Sequence, residues 1–583
     1  MSDLLTGTVR ETAHRNGDDL LSAGLGLGGL RGAPAPFADP SVPTPPELRR
    51  RAIQGSWKGI ADLGPLGGYG DVYGAVPYVP GREYQAFAKI PEARSPHRVL
   101  IQVPDAFDAK ARCLVVAASS GSRGVYGAIA VAGAFGLPRG CAVAYTDKGA
   151  GSGYFDCASA TGVILDGTRV EAGTSDLEFT PDVYTAESGI AIKHAHSGDN
   201  PESDWGRHVL QAAQFGLAML DRALPQLAPF TAQNTRIIAV GLSNGGAAVL
   251  QAAGLDDAGW LDAAVAISPN ISVPGGGRAL YDYASEAGLL MPSALLDPRF
   301  DAIPFARGPF STAWKARIAG LREAALPAEP ATALAQLHAG GWTDAAIATA
   351  TTTTAFDLWR AFAVTYASAY TRSGVGQMPG SFRFVARDDT GNARAPTPAE
   401  RAAWSADAIG IAPGAGVFID EPTSPAAAIG DMADPALPGL LGLRGLWTDT
   451  SIEAQHLRAS VLACATNLPR ADLPIFIVHG REDGLIAAAF SSDAYVAWLR
   501  ENGRAPIYWP LPHAQHFDSF LALPGFGDRY VPLLPYAYAA LDAVWRHIVD
   551  GTRLRTQPPA PEPRGAGGLT AAHLGLQAAA TAP

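Results

Sequence analysis

The sequence predicts an α/β fold: a mostly parallel sheet interrupted by one large, mostly helical insertion. Three observations predict it. Nearly continuous apolar runs of strand length recur from residue 97 onward, separated by helical stretches, as expected for parallel strands buried on both faces. One such run, Ile237–Val240, leads into Gly241-Leu242-Ser243-Asn244-Gly245 and then into a small-residue helix pattern. The rhythm stops near residue 271 and a buried strand recurs only at Ile475, which leaves 271–460 as an insertion between two strands.

Taken in order, residues 1–96 are Gly/Pro-rich and read as an extended segment wrapping the catalytic domain, with a few antiparallel strands such as Glu83–Lys89. Residues 97–270 form the first part of the sheet domain. Its strands are Arg98–Val103, Cys113–Ser119, Cys141–Thr146, the run into Ser243, and Ala264–Ser268. Ala128–Phe135 reads as a short helix and Asp204–Leu227 as a long one. The insertion carries helix candidates at 312–326, 330–339 and 352–370, then a polar stretch at 373–445. Residues 461–555 complete the domain with strands Ile475–Val478 and Ile507–Trp509 and a closing helix Pro532–Val549. The tail 556–583, rich in Pro, Ala and Gly, is expected to be disordered.

Composition removes several functions. With 44 basic and 55 acidic side chains the formal charge is −11, which disfavours nucleic acid or an anionic membrane as a main partner. No run of 18 apolar residues appears, so no spanning helix is expected. The first residues lack a basic region followed by an apolar core, so cytoplasmic placement is the expectation, with secretion the alternative where a leader has been removed. No cysteine spacing resembles a zinc site, and whether Cys157 and Cys464 pair is left open by the sequence. The composition of the His194, His196, Asp199 and Asn200 cluster admits a metal site, but the segment also reads as a loop with a helix cap and no motif fixes a metal geometry. No metal or cofactor is assigned, and the oligomeric state is left open.

A serine between a strand and a helix, flanked by glycines, is the nucleophile-elbow pattern of α/β-hydrolases. Such a serine needs a general base, and the base needs an orienting acid, in the chain order serine, acid, histidine. Asp483, just past the 475–478 strand, is the candidate acid, with adjacent Glu482 its rival. His516, in the loop before the closing helix, is the candidate base, with His513 its rival; His479 reads as a buried supporting histidine. The oxyanion of a tetrahedral intermediate needs aimed donors: the Asn244 N–H and, from the glycine-rich loop after the 113–119 strand, an amide of Ser120 or Gly121. Arg123 in the same loop either pairs with a substrate carboxylate or faces solvent. Lys148 either lines the site or makes a local ion pair.

Several blocks resemble the D-(-)-3-hydroxybutyrate oligomer hydrolases of bacterial polyhydroxybutyrate breakdown. They are Asp19–Gly26, Ala118–Gly124, Tyr145–Gly149, Leu242–Gly246 and Ala514–Asp518. The resemblance implies a serine esterase that cleaves short 3-hydroxybutyrate oligomers, dimer and trimer, to the monomer, with weak action on solid polymer. It carries the nucleophile onto Ser243 and the histidine onto His516, while Asp483 is placed by fold order. Another carboxylester hydrolase of tannase-like or feruloyl-esterase type is the nearest alternative, since the triad would be unchanged and only the insertion's pocket would differ. A serine peptidase and a non-catalytic binding protein on the same scaffold are further readings. Trp342, Trp359, Trp404 and Trp447 are scattered through the insertion, where core roles are the default.

Overall fold

The computed structural model describes residues 4–151, 153–174, 176–406, 416–421 and 434–576. Its centre is a nine-stranded sheet: β1 Arg10–His14, β2 Gly81–Ala88, β3 His97–Pro104, β4 Cys113–Ala118, β5 Ala142–Thr146, β6 Arg236–Leu242, β7 Ala263–Ile267, β8 Ile475–Gly480 and β9 Ile507–Leu511. The spatial order is β1-β2-β3-β5-β4-β6-β7-β8-β9. The first three strands run antiparallel to their neighbours, and β3 also meets β5 antiparallel. From β5 to β9 every pairing is parallel. With its exchanged β5-β4 pair, this is an α/β-hydrolase sheet.

The apolar runs explain why the centre is buried on both sides. Along β4, Cys113, Val115 and Ala117 join one core, with Tyr536 and Leu541 of the closing helix Leu534–Asp550. Leu114 and Val116 join the other, with Val209 and Leu220 of the helix Pro201–Ala223. Successive strand residues face opposite ways, so an unbroken apolar run feeds two cores at once.

Between β7 and β8, which are direct parallel neighbours, the chain leaves the sheet and builds a cap. It contains helices Leu280–Ala294, Pro309–Glu323, Pro330–Ala339, Asp344–Ala355, Leu358–Thr371, Leu437–Thr448 and Ile452–Leu462, and a small sheet of Arg383–Arg387, Ala393–Arg394 and Phe418–Asp420. Trp342, Trp359 and Trp404 are buried in its own apolar core, with Trp447 packed at the edge. The expected insertion 271–460 includes 407–415 and 422–433, which lie outside the described residues.

Several expectations are corrected. The single helix expected over 352–370 is two, because Asp357 adopts a left-handed backbone (φ 55°) between Ala355 and Leu358. The threonines before the break stay helical by donating to carbonyls three or four residues back, as Thr351 does to Ala348 and Thr354 to Ala350. The N-terminal segment is not merely extended. It supplies β1, β2 and the helix Pro45–Ile60, whose start is marked by Thr44 and Glu47; the Thr44 N–H donates to the Glu47 carboxylate at 2.9 Å. A four-stranded antiparallel sheet (Tyr154–Asp156, Thr161–Val163, Arg169–Glu171, Ile190–Ile192) follows β5, unforeseen because its strands are only three residues each. The polar stretch at 373–445 holds regular elements of the cap.

The tail expected to be disordered is placed through Leu576. Leu569 and Leu574 are buried, and the Tyr536 hydroxyl donates to the Leu574 carbonyl at 2.9 Å; residues 577–583 lie outside the described residues. Two leucines anchored in the core outweigh the tail's low-complexity composition. Cys157 and Cys464 are free, each buried in a different apolar cluster. Among the described residues, no helix is long and apolar enough to cross a membrane.

Candidate active site

The loops leaving the carboxyl ends of β4, β6, β7, β8 and β9 meet under the cap. The turn after β6 is the tightest. Ser243 has φ +60° and ψ −127°, a strained conformation for a residue with a side chain. Glycines make the turn sterically feasible: a Cβ on Gly241 would overlap the Gly245 carbonyl, and one on Gly245 would lie 2.5 Å from the Ala118 and Ser119 carbonyl oxygens. The Ser243 N–H is tied to the Ile267 carbonyl of β7 at 2.8 Å, so the neighbouring strand holds the turn.

The structure brings Ser243, His516 and Asp483 together in line. Ser243 Oγ lies 3.1 Å from His516 Nε2, and His516 Nδ1 lies 2.7 Å from Asp483 Oδ2. Asp483 is fully buried, and Ser243 and His516 are 7% and 6% exposed. An ionised carboxylate only accepts, so Nδ1 carries the proton and Nε2 is left to accept from the serine hydroxyl. Asp483 Oδ1 accepts the N–H groups of Leu485 (2.9 Å) and Ile486 (2.7 Å), which fixes the carboxylate plane. Burial pushes the Asp483 carboxyl up, but the imidazoles of His516 and His479 outweigh it and hold it below the ordinary aspartate range.

The rivals stand outside this line. Glu482 accepts the Ala514 N–H at 3.1 Å and so braces the loop that carries His516. His513 is half-buried, has φ +58°, and its carbonyl accepts from the Val531 N–H at 2.7 Å. Asp518 caps the closing helix by accepting from Leu533 and Leu534. His479 is fully buried with Nε2 2.8 Å from the Ile486 carbonyl and 3.3 Å from Asp483 Oδ2, while Nδ1 lies 2.6 Å from Ser492 Oγ. A carbonyl cannot donate, so Nε2 bears the proton and points it at the carboxylate side of the site.

Asn244 opens the helix Asn244–Leu255, so its N–H is one of the first-turn donors without an intrahelical acceptor. Gly121 packs against the Asn244 side chain; a Cβ there would lie 2.7 Å from Asn244 Oδ1. Ser120 is buried beside it, and its carbonyl accepts the Arg123 N–H at 3.1 Å to close the loop. The Arg123 guanidinium turns to the helix Pro45–Ile60 and donates to the Gly55 carbonyl at 3.0 Å.

Sequence reasoning missed a buried polar network behind Asn244. Its amide donates to the Tyr366 hydroxyl at 2.7 Å and approaches Glu202 Oε2 at 3.3 Å. Lys148 pairs with Glu202 and donates to Tyr366 at 2.9 Å, and His194 Nε2 lies 2.9 Å from Glu202 Oε1. Despite burial, Lys148 and His194 hold Glu202 below the ordinary glutamate range, and burial pulls the His194 imidazole down to about 4. Lys148 and His194 were visible as polar residues, but Tyr366, deep in a helix of the cap, carries no local signal of its place. His196 turns instead to its own backbone, accepting the Ile192 N–H at 2.9 Å.

Ser243, Asn244 and His516 open into a cavity of about 500 Å³. Leu280, Leu358, Phe362, Leu485, Ile486, Phe517 and Phe520 give it apolar walls, and Ser120, Gly121 and Arg123 lie on its border. The arrangement suits attack by an activated hydroxyl on a small ester with apolar substituents.

The 3HB-oligomer hydrolase (3HBOH) family model matches residues 2–582. The D-(-)-3-hydroxybutyrate oligomer hydrolase of Burkholderia vietnamiensis is 37% identical, aligned over 98% of this chain and 91% of its own length. That of Paracidovorax citrulli is 35% identical over 96% and 90%. Among solved structures, feruloyl esterase B from Aspergillus oryzae covers 82% of both chains at 11% identity with a TM-score of 0.37.

Proposed function

The chain belongs to the 3HB-oligomer hydrolase family, and from that premise we propose that it is a serine esterase cleaving short 3-hydroxybutyrate oligomers with Ser243 as nucleophile. The observation that carries the residue assignment is the buried line Ser243–His516–Asp483 opening into one cavity. His516 Nε2 takes the hydroxyl proton as Ser243 Oγ attacks the ester carbonyl. The oxyanion accepts from the Asn244 N–H and from an amide of the Ser120–Gly121 turn. Collapse breaks the bond to the alcohol oxygen of the leaving hydroxybutyrate unit, which receives the proton from His516. Water then attacks the acyl-serine and gives a proton to His516; the acyl–Oγ bond breaks, Ser243 Oγ takes that proton back, and the second acid leaves. Asp483 keeps Nδ1 protonated and the ring aimed throughout.

The test is product analysis with the 3-hydroxybutyrate dimer and trimer. Wild-type protein should release monomer, and Ser243→Ala should fold normally and lose on the order of 10³-fold or more in kcat. Turnover by Ser243→Ala close to wild type would overturn the assignment. A feruloyl ester and a simple short-chain ester run alongside should be poorer substrates than the dimer.

A further inference from the structure

The cavity has two unlike sets of walls. The cap and the His516 loop supply apolar side chains; the N-terminal helix Pro45–Ile60 supplies Arg51, Gly55, Lys58 and Gly59. These four positions are spaced i, i+4, i+7 and i+8, so they share one helical face. Two of them are glycines, and the reason is visible. The Arg123 guanidinium lies flat on the helix there: it donates to the Gly55 carbonyl, and a Cβ on Gly59 would overlap it. Lys58 stands beside this surface, half-buried, with its ammonium 2.6 Å from the Gly32 carbonyl. Among the described residues lining the cavity, three are cations and none is Asp or Glu. A 3-hydroxybutyrate oligomer ends in a free carboxylate, the group that Lys and Arg side chains on a cavity wall recognise.

We propose that this helical face is a carboxylate-recognition ledge. Lys58 and Arg123 bind the free carboxylate of a short oligomer and so set the adjacent ester against Ser243. The inference rests on the esterase reading above and deepens it: the substrate is an anionic ester recognised from its acid end. Arginine offers a planar fork to a carboxylate and lysine a compact charge with three donors. In a dimer the carboxylate sits one monomer from the scissile bond, so the ledge selects chain ends over polymer interiors. Gly55 and Gly59 act as positioning residues, because they give the Arg123 side chain its resting place.

The experiment compares kcat/KM for the dimer as free acid and as methyl ester. In wild-type protein the acid should be favoured at least tenfold at low ionic strength, and the advantage should shrink in about 0.5 M salt. Lys58→Met and Gly59→Ala should each lower the acid-to-ester ratio, the first by lost charge and the second by displacing Arg123, with the loss appearing mainly in KM. Together they should bring the ratio near one, and Lys58→Glu should push it below one. Because the readout is a ratio within one preparation, partial misfolding cancels. A wild-type ratio near one, or a double variant that keeps the wild-type ratio, overturns the ledge. Failure of the esterase reading looks different: neither ester would turn over and a fluorophosphonate would not label Ser243.

Discussion

Asp483 Oδ2 is faced by two histidines, and they do different work. His516, at 2.7 Å, reaches on to Ser243; His479, at 3.3 Å, reaches only a carbonyl and the Ser492 hydroxyl. His479 therefore reads as a positioning residue, holding Asp483 and the Ile486 backbone in register. A hydrogen bond to a charged group is worth roughly 1.5–3 kcal/mol, so His479→Leu should lower kcat by about ten- to a hundredfold with little change in KM. His479→Gln, which can still present an N–H at the Nε2 position, should recover most of that loss. Equal kcat in the leucine variant and wild type would remove His479 from the site's support.

At the scale of elements, the acid loop and the cap are locked together through a glycine. The cap helix Asp344–Ala355 lies directly on the turn after β8. The Thr353 hydroxyl donates to the Gly484 carbonyl at 3.1 Å, and a Cβ on Gly484 would overlap the Ala350 backbone nitrogen. Neither backbone can move aside without shifting Asp483. Gly484→Ala should cost about 1–3 kcal/mol of stability and reduce activity as well. The contrasting case is Gly442 in the cap helix Leu437–Thr448, where an added Cβ meets nothing within 4 Å. Gly442→Ala should stabilise by roughly 0.5–1 kcal/mol. Melting temperatures of the two variants decide the matter: similar shifts in both would mean that the docking of the cap on the acid loop is not tight.

For the molecule as a whole, the excursion after β5 is tied back to the sheet by a buried ion group. Glu178 meets Arg98 of β3 at 2.6 Å and Lys193 at 2.7 Å. Burial pushes the Glu178 carboxyl up, but these cations outweigh it and bring it to about 2, below the ordinary 4.5. A depressed carboxyl stabilises the fold fully above its unfolded value, and the contribution is lost as pH falls from about 4.5 toward 2. Glu178→Gln strands two buried cations and should cost about 3–5 kcal/mol near pH 7. The gap in melting temperature between this variant and wild type should narrow as pH is lowered from 5 to 3. A gap that stays constant across that range would mean the pair contributes nothing through ionisation.

The sequence by itself determined what local chemistry can determine. Apolar runs of strand length fixed the parallel centre of the sheet because burial on both faces demands them, and the Gly-x-Ser-x-Gly turn marked Ser243 because only glycines fit beside its strained backbone. Chain order singled out Asp483 and His516, and the structure sets them in line with Ser243. Tertiary structure decided what depends on residues far apart in the chain. The 3.1 Å approach of His516 to Ser243 spans 273 residues. Tyr366, a cap residue, meets Asn244 only because the cap folds back over β6, and Lys58 shares a cavity with Ser243 only because the N-terminal helix packs across its mouth. No local pattern marks such pairs, since each side chain has an ordinary reading within its own helix. Even the Gly/Pro-rich ends misled for this reason: composition reports how freely a segment could move, and packing of Leu569 and Leu574 against a distant helix decides whether it does.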